Sequence, residues 1–495
     1  MTPELMRGLG ELDATMIVVG VLIGSGIFIV SAESSRLVGA PGWLLAAWAL
    51  AGLMTITGSQ CCAELAAMLP RAGGQYVFLR EAYGPALAFL YGWALFLIIQ
   101  AGSIAAVAVA FASFIGVLIG WVSGSSYIVE PIVLGRYAIS LSTQQFVAIL
   151  SIVVLTAVNT RGLETGKLIQ NTLTFIKTAA LVGLIILGLW LGWNRGSAAL
   201  ASSWWDSWAN GWSPQLARPD LGVSGGLALV MLLGLAMVGP LFAQSAWNDV
   251  TFTGGEVRDP GRNLPRALVK GTAIVVTLYL LANLAYVATL PLAGIQQAPQ
   301  NRVGTAMMQS IFGTSGALIM AAAIMISTFS ANNGLVLAGA RVYYAMARDG
   351  LFFARAGNVN SRHVPAVALV MQCVWASLLT LPRTVTVDAG GAVAYGNVYT
   401  QLLEYIVSAD LLFYSLMVGA VLILRKKAPE AERPYRTVGY PVTPFIYISV
   451  AALLILDLAY LAPTTSGIGF LLVLSGIPVY FVWRSRASRR STGGP

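Results

Sequence analysis

Long continuous apolar runs recur along the whole chain, many close to 20 residues or more and rich in Leu, Ile, Val and Ala. They decide which solvent the chain folds in. A helix needs about 20 mainly apolar residues to cross the hydrocarbon of a bilayer, and the run length here fits that need. Strands of an outer-membrane barrel would alternate apolar and polar residues instead. Continuous runs therefore mean helices, the form that satisfies every backbone group within one segment. Composition agrees: 57% of the 495 residues are hydrophobic and only 10% are charged, against roughly 25% charged in soluble domains. A soluble multi-domain enzyme and a disordered chain are both excluded. The expected class is an all-α polytopic membrane protein.

Twelve crossings are expected: Leu12–Val38, Gly42–Leu69, Gly84–Val122, Ser142–Asn159, Lys167–Trp193, Ser224–Phe252, Ala267–Leu290, Ala317–Met346, Val364–Leu381, Val398–Leu424, Val442–Leu461 and Ile468–Trp483. The third and eighth exceed what a bilayer requires, so they should tilt or extend into water. The first run is too long for the apolar part of a cleavable signal. With the N-terminus inside, only Arg136, Arg195, Arg218, Arg302 and Arg383 of the 29 basic residues fall in outer segments. Arg36 and Lys177 remain inside spans, and the rest lie in inner segments or at the inner ends of spans. That asymmetry orients both termini to the cytoplasm of a plasma (inner) membrane. It also accounts for the net charge of +9 without nucleic acid. Cys61, Cys62 and Cys373 all lie inside apolar runs, where a thiol packs as a small apolar group; no metal or cofactor site is expected.

Two runs contain residues that a simple membrane anchor would avoid. Ile23-Gly24-Ser25-Gly26-Ile27-Phe28 puts two glycines and a serine at mid-membrane depth in the first. Close helix packing and a broken helix both explain that segment alone. The sixth run reads Gly239-Pro240-Leu241-Phe242-Ala243-Gln244-Ser245-Ala246-Trp247-Asn248-Asp249. Its proline removes a helical donor, and four polar side chains crowd one depth. Interruptions in the first and sixth of a series suggest two related halves of five spans, oppositely oriented. Such breaks aim half-helix N-termini at an anionic part of a solute and freed carbonyls at its cationic part. A zwitterion suits both ends, and an α-amino acid is the smallest common one. Lys177 lies about ten residues into the fifth run, where charge is costly. It either snorkels to the interface or faces the bundle interior, donating there to carbonyls of the first break. Ser330, Asn332 and Asn333 form a polar stretch in the eighth run that offers it a partner.

These residues resemble the amino acid–polyamine–organocation permeases. The resemblance is carried by Ile23 to Phe28, Ala63-Glu64-Leu65 and Arg71-Ala72-Gly73-Gly74-Gln75-Tyr76. Phe242 to Asn248, the stretch Glu256-Val257-Arg258-Asp259-Pro260-Gly261-Arg262-Asn263-Leu264-Pro265 and Arg433-Pro434-Tyr435 are closest to the L-type amino acid transporter branch. The resemblance implies a LeuT-type 5+5 inverted repeat with discontinuous first and sixth helices and two added C-terminal helices. It divides the chain into 1–193, an outer loop 194–223, 224–425, and 426–495 with a basic cytoplasmic tail. It also implies that N–H groups of Ser25, Gly26 and Ile27 hold a substrate carboxylate. Carbonyls of Ile23, Phe242, Ala243 and Ser245 would receive the amine. Phe242 would be the outer lid, and Trp247 with Asn248 would line the side-chain pocket. Lys177 would replace a second sodium site. Gly334 stands where relatives place a serine facing that lysine, leaving Ser330 or Asn333 as its partner. The connection between the third and fourth spans has no cysteine for a disulfide-linked heavy chain, so none is expected.

The leading expectation is a sodium-independent secondary transporter of neutral L-amino acids, working by alternating access as an exchanger or with protons. A cationic amino acid permease would need an acid in the pocket, and Asp249, Glu404 and Asp410 are the options. A membrane-embedded enzyme lacks a nucleophile–base pair: Gly222-Val223-Ser224-Gly225-Gly226 follows no strand, and the sole histidine, His363, lies in a loop. A channel would need a continuous pore. Glu33 and Arg36 have helical spacing for a pair, and Glu64 is a candidate inner-gate partner for cytoplasmic arginines. Asp457 has no assigned role.

Overall fold

The computed structural model describes residues 7–135, 137–194, 203–219, 221–387, 393–396 and 398–492. Arg136 and Arg195 of the charge count lie outside them, as do the side chain of Glu404 and those of the basic tail beyond Arg484.

Helix α1 (Glu11–Leu22) starts where Asp13 accepts the Gly10 N–H at 2.9 Å, an acid at the positive end of the helix dipole. After a short interruption α2 (Gly26–Val38) runs to Gly39, whose φ of +65° and contact with the Trp212 ring both demand glycine. Pro41 then opens α3 (Pro41–Met68), where its missing N–H costs nothing. α4 (Gln75–Tyr83) leads to α5 (Pro85–Ala94) and α6 (Gln100–Leu118), joined by a π-helical turn at Leu95–Ile99.

The next segment departs from the all-α expectation. Strands β1 (Tyr127–Leu134) and β2 (Tyr137–Ser142) form an antiparallel pair. Ser142 then caps α7 (Thr143–Asn159): its Oγ accepts the Gln145 N–H at 3.2 Å, and the Ser142 N–H reaches Gln145 Oε1 at 2.7 Å. The long α8 (Leu163–Asn194) and the short α9 (Pro214–Ala217) follow. The sixth apolar run is three pieces, α10 (Gly225–Ala236), α11 (Val238–Ala243) and α12 (Asp249–Phe252). Next come α13 (Pro260–Thr289), α14 (Leu292–Gln296) and α15 (Val303–Arg348), the last kinked at Gly313, where φ is +62°. α16 (Ala366–Leu379) leads into strands β3 (Pro382–Val387) and β4 (Val393–Tyr395), which complete a sheet of order β1-β2-β3-β4. The chain continues as α17 (Val398–Lys427), α18 (Val442–Leu461), α19 (Pro463–Leu474) and α20 (Gly476–Thr492).

Among the described residues, ten helical stretches are long and apolar enough to cross a bilayer, while Thr143–Asn159 and Ala366–Leu379 are shorter apolar helices. α13 packs on α1, α3 and α8, and α15 packs on α6 and α8. α1 and α2 lie inside this ring, with Ile17, Val18, Ile23, Ile27 and Phe28 buried. The sheet lies at one end of the helices. The ties of Leu9 to Val257 and of Glu11 to Lys270 lie at the other.

Candidate functional site: two facing helix breaks

α1 stops at Leu22 because Ile23 leaves helical torsions (φ −74°, ψ 83°), and Gly24 turns its N–H back to the Leu22 carbonyl at 2.8 Å. The last carbonyls of α1 then lack helical partners, a heavy cost away from water. Three side chains from other helices supply donors. The Lys177 ammonium of α8, 1% exposed, donates to the carbonyls of Gly20, of Ile23 at 2.8 Å and of Ser327 at 3.4 Å. The Tyr279 hydroxyl of α13 donates to Leu22 at 2.6 Å, and the Ser327 hydroxyl of α15 to Ile23 at 3.0 Å. Gly26 and Ile27 open α2, so their N–H groups have no acceptor within the helix.

The second break closes on itself. The Ser245 N–H and Oγ both donate to the Phe242 carbonyl, at 3.0 and 2.8 Å. Ala246 takes a left-handed φ of +64°, and its N–H donates to the Tyr414 hydroxyl at 3.1 Å. That hydroxyl donates in turn to Asn248 Oδ1 at 3.0 Å, and Asn248 Nδ2 to Gln75 Oε1 at 2.7 Å. Asp249 resumes the helix, its N–H on the Ala246 carbonyl at 3.1 Å. Among the described residues no donor reaches the carbonyls of Ala243 and Ser245.

The breaks touch. A Cβ added to Gly26 would lie 2.5 Å from the Ala243 Cβ and 2.8 Å from its Cα, so only glycine permits this approach. Between them is a cavity of about 30 Å3, lined by Gly24, Ser25, Gly26, Phe242, Ala243, Ser245 and Ala246, with Ser103 and Val107 of α6. One water requires roughly 10–15 Å3, so the space is small. The start of α2 lines one side of it, and the segment that carries the unbonded Ala243 and Ser245 carbonyls lines the other.

Several expected residues stand elsewhere. The Ile23 carbonyl already accepts from Lys177 and Ser327, and that of Phe242 from Ser245 twice. Two lone pairs leave neither oxygen free for a substrate amine. Trp247 and Asn248 turn away from the cavity. Trp247 stacks on Tyr414 at 5.0 Å and lines a separate cavity of about 20 Å3 with Gln244, Asp410 and Tyr447. Lys177 meets neither Ser330 nor Asn333. The Ser330 hydroxyl is buried without a partner, and Asn333 bonds Asn159 and Gln170. Ser327 is the serine that faces the lysine. It lies seven residues before Gly334, on the same helical face but about 10 Å away along the axis, so the sequence fixes the face more firmly than the depth. Tyr279 and Tyr414 were not anticipated, because a buried tyrosine reads as core until its hydroxyl finds a partner.

A model of the amino acid permease family matches residues 9–483. The chain belongs to that family. It is 29% identical to the serine/threonine exchanger SteT of Bacillus subtilis over 486 residues, 97% of this chain and 98% of that protein. It is 28% identical to the large neutral amino acids transporter small subunit 2 of Homo sapiens, covering 97% of this chain and 80% of the relative. Identity to the b(0,+)-type amino acid transporter 1 of Homo sapiens is 26%, with 97% and 89% covered. The chain is thus an integral membrane transporter of amino acids, not an enzyme.

The two ends of the permease differ. At the end away from the sheet, Glu64 takes a two-pronged bond from Arg425, Nε and Nη2 both at 2.8 Å, and a third from the Thr437 N–H at 2.7 Å. Glu256 and Arg341 form a second pair, each 1% exposed, at 3.0 and 3.1 Å. Asp349 accepts from Tyr76 at 2.8 Å and from Arg80. Burial, and then the Asp349 charge, push the Tyr76 phenol up. The sheet end holds two cavities of about 700 and 240 Å3. Glu33 and Arg36 pair there, and Arg36 also reaches Asn301 at 2.9 Å. Asp249 accepts from Gln100 at 3.0 Å, and Asp457 packs against Gly234.

Proposed function

We propose that the permease carries neutral L-amino acids by alternating access, independently of sodium, by exchange or with protons. It does so across a plasma membrane with both termini cytoplasmic, as the basic residues favour. The meeting of the breaks at Gly26 and Ala243 carries this reading, because the cavity has donors on one wall and acceptors on the other. The substrate carboxylate binds the N–H groups of Ser25, Gly26 and Ile27. Its ammonium binds the carbonyls of Ala243 and Ser245. Phe242 is the lid on the sheet side. The Lys177 ammonium fills with fixed charge the space among carbonyls that a sodium ion would need. The crossings number twelve, as two inverted sets of five within 1–193 and 224–425, and 426–495 adds two. The cavities at the sheet end and the ion pairs at the other end fit a carrier closed on the cytoplasmic side. The cysteine-free connection between α6 and α7 supports action without a disulfide-linked heavy chain.

The cationic alternative has one observation in its favour. Asp410 and Gln244 line the cavity behind Ser245, and neither atom of the Gln244 amide has a partner. Proteoliposomes preloaded with unlabelled alanine, leucine, lysine or arginine decide between the readings. Neutral species inside should accelerate labelled uptake with sodium absent. Acceleration by lysine and arginine alone would favour the cationic reading, and a strict sodium requirement would refute the role of Lys177.

A further inference from the structure

The cavity of about 700 Å3 opens at the sheet end, with Ser113, Ser123, Gln144, Tyr127 and Tyr395 in its wall. It also receives two guanidinium groups. Arg383 sits on β3 opposite Ala138 of β2 and is 7% exposed. Its contacts are weak and neutral: the Tyr127 hydroxyl at 3.3 Å, the Ser142 hydroxyl at 3.4 Å and the Tyr127 ring at 5.6 Å. Among the described residues its Nε has no partner. Arg302, just before α15, bonds the Ser113 carbonyl and hydroxyl at 2.8 and 2.9 Å and the Gln300 amide, while its Nε is likewise unpaired. Among the described residues no carboxylate pairs with either arginine. Burial pushes both guanidinium groups down, a cost that neutral hydroxyls offset poorly. Membrane carriers ordinarily supply an acid for such a charge, and here both arginines line a cavity instead. Ile29 lines that cavity one helical turn beyond Gly26, so the chamber adjoins the break site.

We infer that this chamber is a carboxylate-binding antechamber, in which Arg383, aided by Arg302, holds the carboxylate of an incoming amino acid before it reaches the helix breaks. A guanidinium fork matches a carboxylate in two parallel hydrogen bonds. The position raises the local substrate concentration ahead of the occluding step. The proposal rests on the transport reading for the identity of its ligand, but not for the anion site itself.

The test uses the purified full-length protein and two readouts. Acetate, the carboxylate alone, should raise the unfolding temperature of the wild type saturably. Chloride at matched ionic strength should not. Arg383→Gln should lose the acetate effect. In proteoliposomes the same variant should raise KM for labelled alanine about tenfold, with a much smaller change in kcat, and flatten its dependence on ionic strength. Arg383→Lys should recover part of the KM, and Arg302→Gln gives the same KM readout should Arg383→Gln not fold. Equal stabilisation of wild type and variant by acetate, equal stabilisation by chloride, or an unchanged KM in both glutamine variants would overturn the proposal. Arg383-dependent stabilisation by acetate in a protein that carries no amino acid would sink the transport reading and leave the anion site standing.

Discussion

The breaks at residues 23–25 and 244–248 face the same difficulty, unpaired peptide groups inside a helix bundle, and meet it in opposite ways. At the first, the loose carbonyls are taken by side chains from three other helices, Lys177, Tyr279 and Ser327. What remains is the N–H end of α2. At the second, the chain folds onto itself through Ser245 and the left-handed Ala246, with one hydroxyl from Tyr414. What remains there are carbonyls. The first break is thus held from outside and leaves donors, while the second is held from within and leaves acceptors. A zwitterion requires that complementary remainder.

Breaking the external brace should have the largest effect. Lys177→Ala leaves buried carbonyls without their charged donor, each costing about 1–3 kcal/mol. Uptake of labelled alanine per transporter at the membrane should fall at least about 100-fold, and Lys177→Arg should not restore it. Closing the gap between the breaks comes next. Gly26→Ala forces a Cβ against Ala243, an overpacking cost of about 1–3 kcal/mol. Uptake should drop roughly 5- to 150-fold. The double variant Gly26→Ala/Ala243→Gly should recover part of that loss, because one of the two overlapping carbon atoms is removed; no recovery would mean that the breaks do not meet. Tyr414→Phe tests the internal brace at its contact with α17. Losing a donor to Asn248 and an acceptor for Ala246 should cost about 1–2 kcal/mol, visible as a raised KM and a lower unfolding temperature. Ser327→Ala should be the mildest, about 1 kcal/mol or less, since Lys177 still holds the Ile23 carbonyl. A larger loss than for Tyr414→Phe would reverse the ranking of the two braces.

Much of this was legible in the sequence for identifiable reasons. Apolar run length placed some helix ends within a few residues, as with Gly42–Leu69 against Pro41–Met68, but missed the start of α15, expected at Ala317 and found at Val303. Gly24, Gly26 and Pro240 marked where the chain cannot continue as plain helix. The sheet escaped because Pro131 interrupts a strand rich in Ile and Val, and the β1 register shifts between Val129 and Ile132, around that proline. Carbonyl saturation escaped because it depends on tyrosine hydroxyls and on the depth of Ser327 along a 46-residue helix. Period fixes the face of such a helix and leaves its axial position open. Arg341 illustrates the same limit. Counting charges places it only on the inner side, whereas its side chain is fully buried against Glu256.

The most direct measurement is a structure of the permease in lipid nanodiscs with saturating L-alanine. The carboxylate should sit about 3 Å from the Gly26 and Ile27 nitrogens, and the ammonium against the oxygens of Ala243 and Ser245, with Lys177 still on Ile23. A ligand whose ammonium displaces Lys177, or whose carboxylate points away from the start of α2, would contradict the account.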